Sequence, residues 1–204
     1  MPFPTLITET NLSIAWLKTL KAVLRPRSGL EVTPLVVSIG GFNSANSPTE
    51  TAEIRCGIDK FLIEHSHQVC HTVANTIFPI RLYERAKYDR NQLFTDYKEI
   101  LPRIVAAEKG LNGHGVYFAR MIQGNGGFGE NQLDYIINRY NNRPANGLRR
   151  TAFQVSIFRP ADDHLNVPRM GFPCLQHISL VPNNKNKTLS LNAFYATQEV
   201  ITKA

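Results

Sequence analysis

The apolar residues of this chain recur at two different spacings, which predict helices and strands respectively. A spacing of three to four residues predicts helices over residues 11–24, 49–64, 93–111 and 130–141. The first is the clearest, because Leu12, Trp16 and Leu20 share one face and Asn11 is suited to cap the start. Pro102 lies inside the third segment, so we expect it to occupy the first turn of a helix or to divide the segment.

Alternating or β-branched runs predict strands over residues 34–39, 114–121, 150–158, 174–181 and 187–195. In the second run, Val116, Phe118 and Arg120 alternate with Tyr117 and Ala119. The polar link 182–186 predicts that the last two strands form an antiparallel hairpin. With no internal repeat or linker, the pattern predicts one α/β domain over residues 1–204, a mixed sheet flanked by helices.

Composition narrows the class of protein. Apolar residues make up 43% and charged residues 19% of 204 residues, which is typical of a globular protein. No apolar run approaches the roughly 20 residues that span a bilayer, and the N-terminus has no secretory-signal pattern. Three cysteines without framework spacing predict a reducing compartment, so we expect a cytoplasmic protein.

Charge and two unusual segments bear on ligands. Lys and Arg outnumber Asp and Glu by 23 to 16, which favours anionic partners or simply solubility. Because the chain has no block of basic residues, nucleic acid is not expected as a partner.

Residues 65–71 contain three histidines and Cys70, but their spacing matches no closed zinc site, so we expect no metal there. The glycine-rich residues 124–129 lack the P-loop lysine, and a loop is the favoured interpretation over a phosphate cradle.

Cys174 is the strongest candidate for chemistry. It follows Pro173 at the start of a predicted strand, where a thiol can point into a cleft. A reactive cysteine needs cationic neighbours, and the pair Arg149 and Arg150 precedes the previous strand. The alternatives are that Cys174 is an ordinary core residue and that the arginines are a surface pair rather than a phosphate clamp.

The order of these features resembles the thymidylate synthase and deoxycytidylate hydroxymethylase superfamily. In that family, as here at Arg149 and Arg150, an Arg-Arg pair precedes a strand. A loop then leads to Pro-Cys, and a strand pair ends in Tyr, here Tyr195. The upstream stretch 115–117, Gly-Val-Tyr, is similar to the family's Pro-Val-Tyr, and 131–133 to the start of its next helix. The resemblance covers residues 113–199.

The resemblance implies a thymidylate-synthase-like fold and transfer of a one-carbon unit to C5 of a pyrimidine nucleotide. Cys174 would add to C6 of the base, and C5 would attack the one-carbon unit of 5,10-methylenetetrahydrofolate. Arg149 and Arg150 would contact the substrate phosphate across the interface of a homodimer. Tyr117 would line the site.

The chain also departs from the family pattern. Leu175 stands where the family has His, Ser179 where it has Gln, and residues 196–199 where it has Arg-Ser-x-Asp. Asp59 and Glu64 are the candidates for the family's catalytic Glu. Family members continue beyond the position of Ala204, so we expect the family's C-terminal part to be lacking.

Three hypotheses follow. The first is a C5 methyl- or hydroxymethyltransferase, which the retained Pro173-Cys174 and Arg149-Arg150 favour. The second is a non-catalytic nucleotide-binding or assembly protein on the same fold, which the departures favour. The third, a nucleic-acid-binding module, rests on net charge alone.

Overall fold

A computed structural model describes residues 4–25, 31–113, 115–123, 131–143, 147, 149–164 and 173–196. The chain is a mixed α/β protein whose contacts divide it into two compact units, Met1–Cys70 and His71–Gln198. We expected one mixed sheet. The described strands instead form a two-stranded parallel sheet and a three-stranded antiparallel sheet.

The first unit begins with a strand–helix–strand segment. Strand β1 (Thr5–Glu9) leads into helix α1 (Leu12–Val23) and strand β2 (Leu35–Ile39), which lies parallel to β1; helix α2 (Ala52–Glu64) follows. Parallel neighbours need such a crossover, and α1 supplies it. The predicted cap is confirmed, because Asn11 Oδ1 accepts a hydrogen bond from Ile14 N at 3.1 Å.

The most buried residues of α1 are small ones: Ser13, Ala15, Thr19 and Ala22. The large residues of the predicted apolar face, Leu12, Trp16 and Leu20, are only half-buried. The predicted helix is therefore confirmed, but the large residues of its predicted apolar face are less buried than its small residues.

The second unit contains most of the helices and the antiparallel sheet. Helix α3 (Cys70–Ile77) starts at the boundary between the units. It is followed by α4 (Ile80–Arg85), α5 (Arg90–Ala107), α6 (Lys109–Asn112), α7 (Tyr117–Ile122), α8 (Gln132–Asn141), a 3₁₀ turn (Arg150–Ala152), β3 (Gln154–Ser156), α9 (Pro160–Asp163), β4 (Leu175–Asn183) and β5 (Thr188–Tyr195). The strand order is β3-β4-β5, and the predicted hairpin between the last two is confirmed.

The core of the second unit lies where α5, α7 and the sheet meet. Its most completely buried large side chains include Phe118 of α7, Phe153 and Ile157 on either side of β3, and Leu175 at the start of β4. The ring of Tyr97 from α5 meets the ring of Phe118 edge to face, with centroids 4.7 Å apart. The core thus joins the element that carries Tyr117 to the strand that follows Cys174.

Two predictions about secondary structure are wrong. Residues 117–122 form a helix rather than a strand, because Phe118 to Ile122 are all buried and the apolar residues therefore carry no helical period. Pro102 lies within the interior of α5 and neither starts nor divides the helix. The predicted strand at 150–158 is also reduced to β3, because its first residues form the 3₁₀ turn.

In the described part of the chain, no helix is both long enough and apolar enough to cross a membrane.

Candidate functional site

Cys174 lies immediately before β4, and its side chain is exposed. Both of its neighbours are buried: Pro173 before it and Leu175 after it, the latter with no exposed surface. The buried neighbours anchor the backbone on both sides, so the thiol is held at a defined place on the surface. This arrangement is consistent with a reactive cysteine and inconsistent with an ordinary core residue.

A bulge in β4 follows directly after Cys174. Leu175 pairs with Tyr195 and His177 pairs with Phe194, so Gln176 is an extra residue in β4 relative to β5. The carbonyl oxygen of Gln176 accepts hydrogen bonds from Ile157 N at 2.9 Å and Phe158 N at 3.0 Å. Bulges redirect neighbouring side chains and are common beside active sites.

Tyr117, the first residue of α7, lies against Cys174. Its side chain is half-buried, and burial is the main reason why the pKa of its phenol is raised. The neighbouring Cys174 raises this pKa further, whereas the backbone at Leu175 and Cys174 acts in the opposite direction. The structure therefore brings together two residues predicted for the site, which are 57 positions apart in the sequence.

Tyr195 is a third member of the cluster, and it was not among the predicted site residues. It ends β5 opposite Leu175, and the next backbone N–H, that of Ala196, donates to Cys174 O at 3.2 Å. Burial raises the pKa of Tyr195, and the nearby Tyr117 and Cys174 raise it further. The available signal was its position at the end of the hairpin strand. We call Cys174, Tyr117 and Tyr195 the thiol–phenol cluster.

The predicted phosphate contacts, Arg149 and Arg150, are not part of this cluster within one chain. Both are exposed at the 3₁₀ turn before β3. Arg150 is the first residue of that turn, so it does not lie on a strand as the predicted run 150–158 implied. Their exposure leaves them accessible to an anion or to another molecule.

The two candidates for a catalytic carboxylate belong to the first unit, whereas Cys174 belongs to the second. Asp59 accepts a hydrogen bond from Cys70 N at 3.0 Å and from Arg55 Nε at 3.3 Å. Burial opposes its ionisation, but these hydrogen bonds and the charge of Arg55 outweigh that effect and lower its pKa. Glu64 is exposed and lies 3.8 Å from the ammonium of Lys60.

The departures from the family pattern occupy defined structural positions. Leu175 is part of the core, so no side chain at this position faces the exposed thiol without a change of backbone. Ser179 lies in the middle of β4 and accepts a hydrogen bond from Gln154 Nε2 at 3.1 Å, while Gln154 Oε1 lies 2.7 Å from His177 Nε2. These polar residues lie on the sheet face opposite Ile178.

The histidine-rich residues 65–71 follow α2 and extend into the first turn of α3, which begins at Cys70. His65 Nδ1 is 2.8 Å from Phe61 O, and His71 Nε2 accepts a hydrogen bond from Arg81 Nε at 3.1 Å. Within the described ranges, no group of three His, Cys, Asp or Glu side chains has a geometry that would hold a metal ion. The glycine-rich segment 124–129 lies outside the described residues.

A cavity of about 440 Å³ runs along α8. It is lined by Asn131, Asp134, Tyr135, Asn138, Arg139 and Asn142. None of the predicted site residues contributes to this lining, so the cavity is separate from the thiol–phenol cluster.

Comparison with known proteins adds no support to the resemblance, which therefore rests on its sequence motifs alone. No protein-family model matches the sequence, and neither the curated proteins nor the solved structures contain a match to it.

Proposed function

We propose that this protein is a thymidylate-synthase-like transferase that modifies C5 of a pyrimidine nucleotide, with Cys174 as the nucleophile. The observation that carries the proposal is the thiol–phenol cluster, in which an exposed thiol at the start of β4 lies beside two half-buried phenols. The retained motif order supports the family assignment.

The cluster supplies the groups that covalent activation of a pyrimidine requires. The Cys174 thiolate forms a bond to C6, and the electron pair of the C5–C6 double bond moves onto C5 and the conjugated carbonyl oxygen. Raised pKa values keep Tyr117 and Tyr195 protonated at neutral pH, so both serve as neutral hydrogen-bond donors. Release follows loss of the C5 proton to solvent: the electron pair of the C5–H bond restores the C5–C6 double bond, the bond from C6 to sulfur breaks, and sulfur leaves as the thiolate.

By the same resemblance, 5,10-methylenetetrahydrofolate supplies the one-carbon unit. The described residues around Cys174 offer a nucleophile and two hydrogen-bond donors, but no group among them identifies a folate site. The proposal for this chain's own residues is therefore restricted to the nucleotide half of the reaction.

A homodimer and a shared phosphate site belong to the same proposal. Three large apolar side chains of β5, Leu189, Leu191 and Phe194, are 63%, 60% and 59% exposed. Apolar groups of this kind mark interaction surfaces. In a homodimer, the exposed Arg149 and Arg150 would be available to hold the phosphate bound by the partner subunit.

A non-catalytic nucleotide-binding protein on the same fold is the second candidate. The buried Leu175 favours it, because the family's His position cannot contribute a polar group to the site here. Ala196 likewise offers only its backbone N–H, which is already bonded to Cys174 O.

Intact-mass spectrometry separates the two candidates. The protein is incubated with 5-fluoro-dUMP and 5,10-methylenetetrahydrofolate, and the same experiment is run with 5-fluoro-dCMP. The transferase is expected to gain the mass of a covalent complex, and Cys174→Ser is expected to lose that gain. Cys56→Ser is the matched control, because Cys56 is also exposed but lies in the first unit.

The outcome decides between the hypotheses. Saturable binding of a nucleotide without any mass gain would support the non-catalytic protein. A mass gain that persists in Cys174→Ser would remove Cys174 from the proposed role.

A further inference from the structure

A buried ion pair lies one helical turn from Tyr117. Arg120 of α7 and Asp163 of α9 are joined by two hydrogen bonds, Nη1 to Oδ2 at 2.6 Å and Nη2 to Oδ1 at 2.9 Å. Their side chains are only 2% and 3% exposed. Removing two charges from water is costly, so a buried pair is weak evidence for stability and is better explained by the geometry it imposes.

The same guanidinium reaches the strand that follows Cys174. Arg120 Nη1 also donates to Ile157 O at 2.9 Å. Ile157 N in turn donates to Gln176 O, the bulge residue of β4. Ile157 therefore links the arginine of α7 directly to the backbone two residues after Cys174.

The backbone of α7 is held as well. The carbonyl oxygen of Arg120 accepts hydrogen bonds from Gln132 Nε2 and Arg159 Nη2, both at 2.9 Å. Arg159 N donates to Asp163 Oδ2 at 2.7 Å. Asp163 therefore binds Arg120 directly and also holds Arg159, which in turn binds the Arg120 carbonyl. A six-residue helix has little stability of its own and depends on such tertiary contacts.

We propose that the Arg120–Asp163 pair is a positioning device that fixes α7 so that the Tyr117 hydroxyl stays against the Cys174 thiol. Tyr117 and Arg120 are three residues apart on α7, so rotation or displacement of the helix moves both together. The inference rests on the proposed function for its biological meaning, but the geometry it describes is a property of the protein alone.

The test measures the rate at which iodoacetamide alkylates Cys174, followed by peptide-resolved mass spectrometry so that Cys56 and Cys70 are counted separately. Tyr117→Phe removes the phenol hydroxyl beside Cys174 and is expected to slow alkylation at least about threefold, since a hydroxyl at this place can donate to the thiolate as it forms, and hydrogen bonds to charged groups are among the stronger ones. The neutral pair Arg120→Met with Asp163→Asn is expected to slow it similarly. In that background, adding Tyr117→Phe is expected to have no further effect.

The controls separate positioning from general destabilisation. Arg90→Met with Asp134→Asn removes a second ion pair between helices of the same unit, with N and O 3.3 Å apart, and is expected to leave the alkylation rate unchanged. Near-UV circular dichroism checks folding. If the double variant does not fold, Asp163→Glu carries the test, because it keeps a negative charge beside Arg120 but moves the carboxylate by one methylene.

Two results would overturn the inference. One is an alkylation rate that Tyr117→Phe does not change. The other is a full effect of Tyr117→Phe in the background without the ion pair. Alkylation needs neither nucleotide nor folate, so a protein that forms no nucleotide adduct still tests the positioning role.

Discussion

Individual tyrosines in the second unit owe their properties to burial. Tyr97 is 3% exposed, and burial raises the pKa of its phenol to about 12. Tyr117 and Tyr195 are only half-buried, and their pKa values are raised by the Cys174 site in addition to burial. The first is a core residue, whereas the other two lie near the exposed thiol of Cys174.

The raised pKa of Tyr97 predicts a loss of stability in alkaline solution. The unfolded phenol ionises near pH 10 and the folded one near 12, so the contribution is intact below pH 10 and is lost as pH rises from there towards 12. At pH 11 the loss relative to pH 9 is about 1 kcal/mol from this residue. Urea unfolding followed by far-UV circular dichroism at both pH values measures it.

Tyr97→Phe is the comparison that isolates this residue, because it keeps the ring contact with Phe118 and removes the titrating hydroxyl. Its stability is expected to fall less between pH 9 and pH 11 than that of the unmodified protein. Equal losses in the two proteins would show that Tyr97 does not contribute.

At the level of secondary-structure elements, a close contact with Thr10 determines which residue type fits the turn after β2. After β2 the backbone turns at Gly41, whose φ is +68°. A Cβ atom at Gly41 would lie 2.8 Å from both Cβ and O of Thr10, which follows β1. The adjacent Gly40 has no heavy atom within 4 Å of the corresponding position. Of these two neighbouring glycines, Gly41 is therefore the one whose position does not accept a side chain.

Gly41→Ala is expected to destabilise the first unit by about 1–3 kcal/mol, because positive φ and the contact with Thr10 both oppose a side chain. Gly40→Ala is the matched control and is expected to change stability by less than about 0.5 kcal/mol. Urea unfolding followed by tryptophan fluorescence reports on this unit, since Trp16 of α1 is the only tryptophan in the sequence. Equal midpoints for the two variants would contradict the prediction.

At the scale of the whole molecule, both units carry exposed apolar residues on their sheets. In the first unit, Leu6 of β1 and Val36 of β2 are neighbours in the parallel pair and both are exposed. Parallel sheets are normally covered on both faces. In the second unit, Leu191 lies on the same face of the sheet as the core residue Ile178, and Phe194 lies on the opposite face.

If the proposed homodimer forms through one face of β5, a charged side chain on that face is expected to dissociate the dimer into monomers. Leu191→Glu and Phe194→Glu place a carboxylate on opposite faces of the same strand, so each serves as the control for the other. Sedimentation velocity is expected to give a dimer for the unmodified protein and a monomer for the variant whose face forms the interface. A monomeric unmodified protein, or two dimeric variants, would contradict the dimer through this strand.

Signals between residues close together in the sequence were sufficient to predict some of the secondary-structure elements. Asn11 and the spacing of apolar residues predict α1, and the polar link at 182–186 predicts the β4–β5 hairpin, because capping and turn chemistry act between residues a few positions apart. The motif around Cys174 also singled out the thiol as the candidate nucleophile.

Only the tertiary structure decided the arrangement around that thiol. Arg120 was predicted to lie on a strand, yet it is a helical residue buried against Asp163, 43 positions further along the chain. Tyr195 reaches Cys174 through the pairing of β5 with β4. Helix α7 is buried on all sides and has no helical period, and Tyr195 lies near Cys174 only because β5 pairs with β4. Both features depend on contacts between distant residues, which the periodicity of the chain does not record.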